Sequence, residues 1–158
     1  HLDHAGGAAD IVDKLGLPII GPHKEDQFWL DGIEDHAARY GLQGLRCCTP
    51  DEWLDDGDEI SVGNVRLSVL HTPGHPPGHV VLFDEASKVA FVGDVIFKGS
   101  IGRTDFPRGD LPTLLKAIST KLWPLGDDVT FVPGHGPLST FGDGRASNPY
   151  VSGAALAG

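Results

Sequence analysis

The chain has 158 residues, 40% of them apolar and 22% charged, which is enough for one domain with a real core. No apolar run approaches the roughly 18 residues of a membrane span. A formal net charge of −10 excludes nucleic acid and anionic membranes as main partners, since both reward basic patches.

In chain order, Ala5 to Leu15 is predicted as a short helix, with Ala8, Ile11, Val12 and Leu15 on one face and Gly16 at its stop. "LPIIGP" (17–22) is predicted as a short buried strand. Lys24 to Tyr40 carries Phe28, Trp29, Ile33 and Ala37 on a helical stripe with Gly41 after it. Residues 42–58 are expected to be loop. The period then changes to two. "EISV" and "VRLSVLH" alternate around "GN", a hairpin-turn signal. "HVVLFD" and "KVAFVGD" form a second pair around "EAS". Asp110 to Leu122 returns to helix, with Leu111, Leu114, Leu115, Ile118 and Leu122 on a face. "DVTFVPGHG" is a last strand ending in a polar loop.

The chemistry lies where strands run out. "HTPGHPPGH" follows "RLSVL", "GD" follows "VAFV", and "PGHG" follows "TFV". Each cluster delivers a histidine or aspartate from a different segment, and a sheet would fix their orientation. His1, His4, His75 and His135 are read as loop residues beside Gly, Pro or Asp. Imidazole with carboxylate suits zinc, iron or manganese. No thiolate is well placed among them, which argues against a closed structural zinc site.

These motifs, in their order and spacing, resemble the metallo-β-lactamase superfamily. "HLDH" resembles the second part of its H-x-H-x-D-H motif, and "TPGHPPGH", "FVGDVIF" and "VPGHGP" resemble its later metal motifs. The resemblance implies a mixed α/β fold, an αββα four-layer sandwich whose first strands are missing here, in a single domain over 1–158. The chain opens on His1 and contains no methionine, so it is expected to be incomplete at the N-terminus, with a further histidine two residues upstream. No C-terminal helical domain is expected.

The resemblance further implies two divalent metal ions, zinc first, with iron or manganese as alternatives. One would be held by His1, His75, Asp94 and the upstream histidine. The other would be held by Asp3, His4, His135 and Asp94, with Asp94 bridging. Asp3 and Asp94 are then the catalytic carboxylates, Asp3 orienting a metal-bridging hydroxide or taking a proton from it. Two cations sharing a carboxylate lower the pKa of bound water and polarise the carbonyl under attack. His79 is expected to hydrogen-bond a ligand and orient it, and His71 to be structural.

"GDVIFKGSIGRTDFPRGD" (93–110) is similar to the small, single-domain, glyoxalase II-like hydrolases of bacteria. This implies hydrolysis of a small thioester, S-lactoylglutathione or a related hydroxyacyl thioester. Arg103 would contact the thiol part, since a guanidinium suits a carboxylate in a bidentate pair. Asp105 stands where many glyoxalases II have an aromatic residue. Class B β-lactamases fit poorly, because they lack a bridging aspartate at the place of Asp94. The rivals are a mononuclear iron persulfide dioxygenase, in which "GRTDF" also occurs, a lactonase, and a metal-binding scaffold without turnover.

The adjacent Cys47 and Cys48 lack C-x-x-C spacing and are read as two reduced thiols of a cytoplasmic protein. His23 and His36 are expected to be solvated. The acidic run Asp55, Asp56, Asp58 and Glu59 is expected to be a solvated turn, since EF-hand spacing is absent.

Overall fold

Two adjacent glycines split the first predicted helix. In the computed structural model, which describes residues 1–156, α1 (Leu2–Ala5) and α2 (Ala8–Leu15) are separated by Gly6 and Gly7. Each glycine costs about 1 kcal/mol of helix propensity relative to alanine. His1 and His4 accordingly sit at the cap and within a one-turn helix rather than in a loop, the His1 carbonyl accepting from the amides of His4 and Ala5. Ile11 and Leu15, placed on the apolar face by the sequence, are 53% and 66% exposed. Instead Leu2, Ala5, Ala8 and Ala9 pack against the first core, around Leu30, Ile33 and Cys48. On its outer side Arg46 reaches both Asp10 and Asp13 of α2 at 2.7 Å.

The described residues form two compact units, His1–Leu54 and the chain from Asp55 onward. In the first, the predicted strand at 17–22 is reduced to one bridge between Ile20 and Glu52. Pro18 and Pro22 flank it and supply no amide hydrogen for a ladder. The long helix predicted over Lys24–Tyr40 breaks at Gly32 into α3 (Gln27–Asp31) and α4 (Ile33–Arg39), after a 3₁₀ turn at Lys24–Asp26. Its stripe is largely kept: Trp29, Ile33 and Ala37 are buried, and Leu30 joins them. His23 and His36 are half-buried rather than solvated. His23 Nδ1 accepts from the Glu25 amide, and the His36 ring lies 5.0 Å from Trp29. Cys47 and Cys48 are free thiols. Burial, with Cys47 and Asp31 nearby, pushes the Cys48 thiol up.

The second unit is built on a six-stranded sheet ordered β1 (Glu59–Val62), β2 (Val65–His71), β3 (Val80–Asp84), β4 (Val89–Gly93), β7 (Thr130–Pro133) and β8 (Ser139–Thr140). Strands β1 to β4 run antiparallel in succession, as the two predicted hairpins require. The pairing of β4 with β7 is parallel and so needs a crossover. Helix α5 (Leu111–Ala117) and a π-helical turn at Ile118–Leu122 lie within it. Leu114, Ile118 and Leu122 are fully buried, whereas Leu111 is 43% exposed.

The core under this sheet centres on Phe131 of β7 and Phe141, whose rings stack 5.7 Å apart. Burying such a ring is worth about 1.5–3 kcal/mol. Phe141 opens α6 (Phe141–Ser147), an element without a periodic signal in the sequence. Thr140 caps it by accepting from the Asp143 amide at 3.1 Å. Thr140→Ala should therefore lower the unfolding free energy by about 1 kcal/mol in a denaturant titration. An unchanged midpoint would mean that the cap carries no stability.

A two-stranded ribbon, β5 (Ile96–Phe97) and β6 (Ser100–Ile101), follows Asp94 and was not predicted. The buried Asn148 braces it by donating to the carbonyls of Phe97 and Ser100. The acidic run 55–59 is exposed but not merely solvated. Asp56 accepts from Lys121 Nζ at 2.7 Å and from the His71 amide at 2.8 Å. A final helix, α7, spans Gly153–Leu156. Among the described residues, no helix is long and apolar enough to cross a membrane.

Candidate metal centre

Sheet topology decides which motifs of the second unit meet. Strand β2 runs antiparallel to β3 and β3 antiparallel to β4, so β2, β4 and β7 all point the same way. The loop 72–79, Asp94 and His135 therefore all follow C-terminal ends at one edge of the sheet. The Gly134 amide donates to the Gly93 carbonyl at 2.7 Å, which ties the last two segments together.

At that edge Asp94 Oδ2 lies 3.4 Å from His75 Nε2 and 3.5 Å from His135 Nε2. Asp94 and His75 are buried, at 6% and 3% exposure, while the His135 side chain is 58% exposed. The His75 ring is held from behind, where Nδ1–H donates to the Arg103 carbonyl at 2.7 Å. This tautomer turns the Nε2 lone pair toward Asp94.

His79 works on the backbone of Asp94. The Asp94 amide donates to His79 Nε2 at 3.2 Å, so the ring proton sits on Nδ1, 3.3 Å from Thr72 Oγ1. The Thr72 hydroxyl in turn donates to the His79 carbonyl, and the Thr72 amide donates to the same oxygen at 2.8 Å. Thr72 is fully buried and has no counterpart in the sequence reading. Its one signal is its place, directly after a strand and seven residues before His79. His71 braces the same loop, its ring donating from Nε2 to the Pro77 carbonyl at 2.7 Å.

Two glycines allow this crowding. Gly93 has φ +50°, and a Cβ there would lie 2.6 Å from His79 Nε2. A Cβ on Gly102 would lie 1.9 Å from the Asp94 carbonyl oxygen and 3.1 Å from His75 Cγ. The loop carrying Arg103 thus passes directly against both ligand candidates.

Arg103 itself is engaged. Its Nε and Nη2 donate to Oδ1 and Oδ2 of Asp105, each at 2.6 Å, and its guanidinium lies 4.4 Å from the centre of the Phe106 ring. The Phe106 ring is also 5.5 Å from that of His75, a contact the sequence reading did not anticipate. The two bonds from Arg103 hold the Asp105 carboxyl down to about 2. A depressed carboxyl contributes stability above the ordinary carboxylate value and loses it as pH falls through the depressed one. The pair should thus be intact at pH 4, and carbon NMR of the Asp105 carboxyl should titrate with a midpoint near 2. A midpoint at the ordinary 3.8 would contradict the pairing.

The first unit supplies a second donor cluster. His1, Asp3 and His4 place one ligand atom each within 4.8 Å of one another. His1 Nδ1 contacts Asp3 Oδ1, and His4 Nε2 lies 3.7 Å from Asp3 Oδ2. The His1 ring packs edge-on to His4 and to Trp29. Partial burial works against ionisation of Asp3, but His1 and His4 outweigh it and keep its pKa lowered. Of the six donors expected from the sequence, His1, Asp3 and His4 lie together in the first unit, and in the second His75 and His135 both flank Asp94.

A family model described as the metallo-β-lactamase superfamily matches residues 1–135. The chain belongs to this superfamily. A hydroxyacylglutathione hydrolase, GloC, of Haemophilus influenzae is 42% identical over 153 residues, covering 96% of this chain and 72% of that protein. Among solved structures, BLEG-1, a B3 metallo-β-lactamase, matches with TM-score 0.86 and 34% identity over 97% of this chain and 74% of its own. TTHA1623, solved in a di-iron-bound form, matches with TM-score 0.85 and 35% identity over 95% of this chain and 73% of its own. The mixed α/β architecture is the metallo-β-lactamase fold, and by family the chain is a metal-dependent hydrolase. The donor chemistry fits the divalent ions this implies: imidazole nitrogens and carboxylate oxygens, one histidine oriented by a backbone carbonyl, and no thiolate.

Proposed function

We propose that the chain hydrolyses acyl thioesters, S-lactoylglutathione or a related hydroxyacyl thioester, with two divalent cations. The observation that carries this reading is the buried Asp94 carboxylate, with one oxygen beside Nε2 of both His75 and His135. From that place Asp94 could share a cation with either histidine. The similarity to the hydroxyacylglutathione hydrolase of H. influenzae points to the substrate. His1, His75 and Asp94 would hold one cation, and Asp3, His4, His135 and Asp94 the other. Zinc is the first choice, with iron or manganese as alternatives.

When bound, such a pair of cations activates water near neutral pH and polarises the scissile carbonyl. The chain's own residues do the positioning. The Arg103 carbonyl fixes the His75 tautomer, and His79 with Thr72 fixes the backbone at Asp94. Asp3, kept ionised by its histidine neighbours, is the carboxylate available to take a proton. The exposed His135 marks the side open to solvent and hence to a substrate. Arg103 is assigned to the thiol part. With a charge of −10 and two free thiols, we place the protein in the cytoplasm, acting on a small molecule rather than on nucleic acid or a membrane.

The test is turnover by the purified, metal-loaded protein. Release of thiol from S-lactoylglutathione at a rate proportional to enzyme supports the reading. A second reading, β-lactam hydrolysis, has in its favour the B3 metallo-β-lactamase that matches at 34% identity, and against it the presence of Asp94. Turnover of a chromogenic cephalosporin without thioester cleavage would put it in first place. Oxygen consumption with glutathione persulfide, again without thioester cleavage, would replace both.

A further inference from the structure

Two negatively charged groups can claim the Arg103 guanidinium: a carboxylate of the substrate and the carboxylate of Asp105. The second already holds the Nε–Nη2 edge in a two-bond fork, the geometry in which a guanidinium binds one carboxylate. We propose that Asp105 is a specificity-determining residue, an internal carboxylate that competes with substrate carboxylates for Arg103 and biases the site toward thioesters whose thiol part carries none. This rests on the thioester reading above and modifies it: S-lactoylglutathione, whose thiol part carries carboxylates, is then held less tightly at Arg103 than it would be without Asp105.

Three observations support it. The pair is open to solvent, with side-chain exposures of 60% for Arg103 and 66% for Asp105, so an incoming ligand can reach it. An exposed ion pair contributes little to stability, so holding the fold together is a weak reason for it. The pair is also joined to the site rather than scattered on the surface. The Arg103 carbonyl holds His75, Phe106 lies against both the guanidinium and the His75 ring, and Gly102 passes against Asp94. A carboxylate two residues away in the same loop acts at an effective concentration of about millimolar or more, which a free ligand must exceed. Pairing with Asp105 also offsets the charge of Arg103, one of the two guanidinium groups in this loop beside Arg108, in a chain of net charge −10.

Asp105→Asn removes the competing charge while keeping size and one acceptor. With S-lactoylglutathione, KM should fall about tenfold with kcat unchanged, the size of one charge-assisted contact made equally in ground and transition states. With S-lactoyl-N-acetylcysteamine, whose thiol part has no carboxylate, KM should stay within about twofold. In an Arg103→Ala background, Asp105→Asn should change neither. If both thioesters respond alike, if neither responds, or if the effect survives loss of Arg103, the proposal is overturned and Asp105 only braces its loop. Binding of S-methylglutathione, followed by calorimetry on wild type and variant, separates this from failure of the thioester reading. If no thioester is turned over but Asp105→Asn binds S-methylglutathione about tenfold more tightly, only the reaction is wrong. Equal affinities overturn the role of Asp105 whatever the reaction is.

Discussion

Asp94→Ala should reduce hydrolysis by about three orders of magnitude or more, since in the proposed two-cation site it would take a ligand from both ions and with it several kcal/mol of transition-state stabilisation. Bound metal should fall with it. His79→Ala touches the same aspartate only through its amide, at 3.2 Å, and leaves the carboxylate in place. Loss of such a supporting partner typically costs about 10- to 100-fold. The contrast is the prediction: both variants lose activity, but Asp94→Ala loses far more, together with its metal. Measuring kcat/KM beside metal content on the two proteins checks it. Equal losses in both quantities would mean that Asp94 does not serve both sets of ligands.

Gly102→Ala should be the most damaging change outside the donor residues. Its new methyl group would stand 1.9 Å from the Asp94 carbonyl oxygen, far inside contact distance, and 3.1 Å from His75 Cγ. No side-chain rotation relieves a clash with backbone, so the loop or the Asp94 strand end must move. Overpacking of this kind costs about 1–3 kcal/mol. A shift of roughly 1 Å in a catalytic group costs about 10²-fold in rate. We therefore expect both a lowered denaturation midpoint and an activity loss of that order, with the Arg103–His75 hydrogen bond broken. A Gly102→Ala protein with wild-type kinetics would show that the loop does not set the position of Asp94 or His75.

How far the sequence could be read depended on whether a signal was periodic or contextual. The hairpins β1–β2 and β3–β4 and the strand β7 were legible because alternation and turn residues agree. The strand-end clusters at His75, Asp94 and His135 were legible for the same reason: an apolar run that stops at a polar residue marks where the sheet ends. Helices α2, α3 and α4 fall inside the predicted spans, which were drawn too long, since an apolar stripe continues through Gly6–Gly7 and Gly32 while the hydrogen-bonded ladder does not; α1, a single turn, was read as loop. The exposed side of α2 was misplaced because the small Ala8 and Ala9, rather than Ile11 and Leu15, face the first core. Short elements such as β5 and β6 offer two residues each, too few for any period. Around the site, the missed partners were those without charge or periodicity. Thr72 and the Arg103 carbonyl act through hydrogen bonds that only folding creates. The pairing of Arg103 with Asp105 could have been suspected from their spacing, but not its two-bond geometry.

The most direct measurement is metal content set against thioesterase activity in the same preparation. About two divalent ions per chain are expected, with loss of S-lactoylglutathione hydrolysis in step with their removal by a chelator and recovery on adding zinc, iron or manganese. Hydrolysis that persists after complete removal of metal, or a single iron that supports oxygen uptake and no hydrolysis, would contradict the two-cation reading.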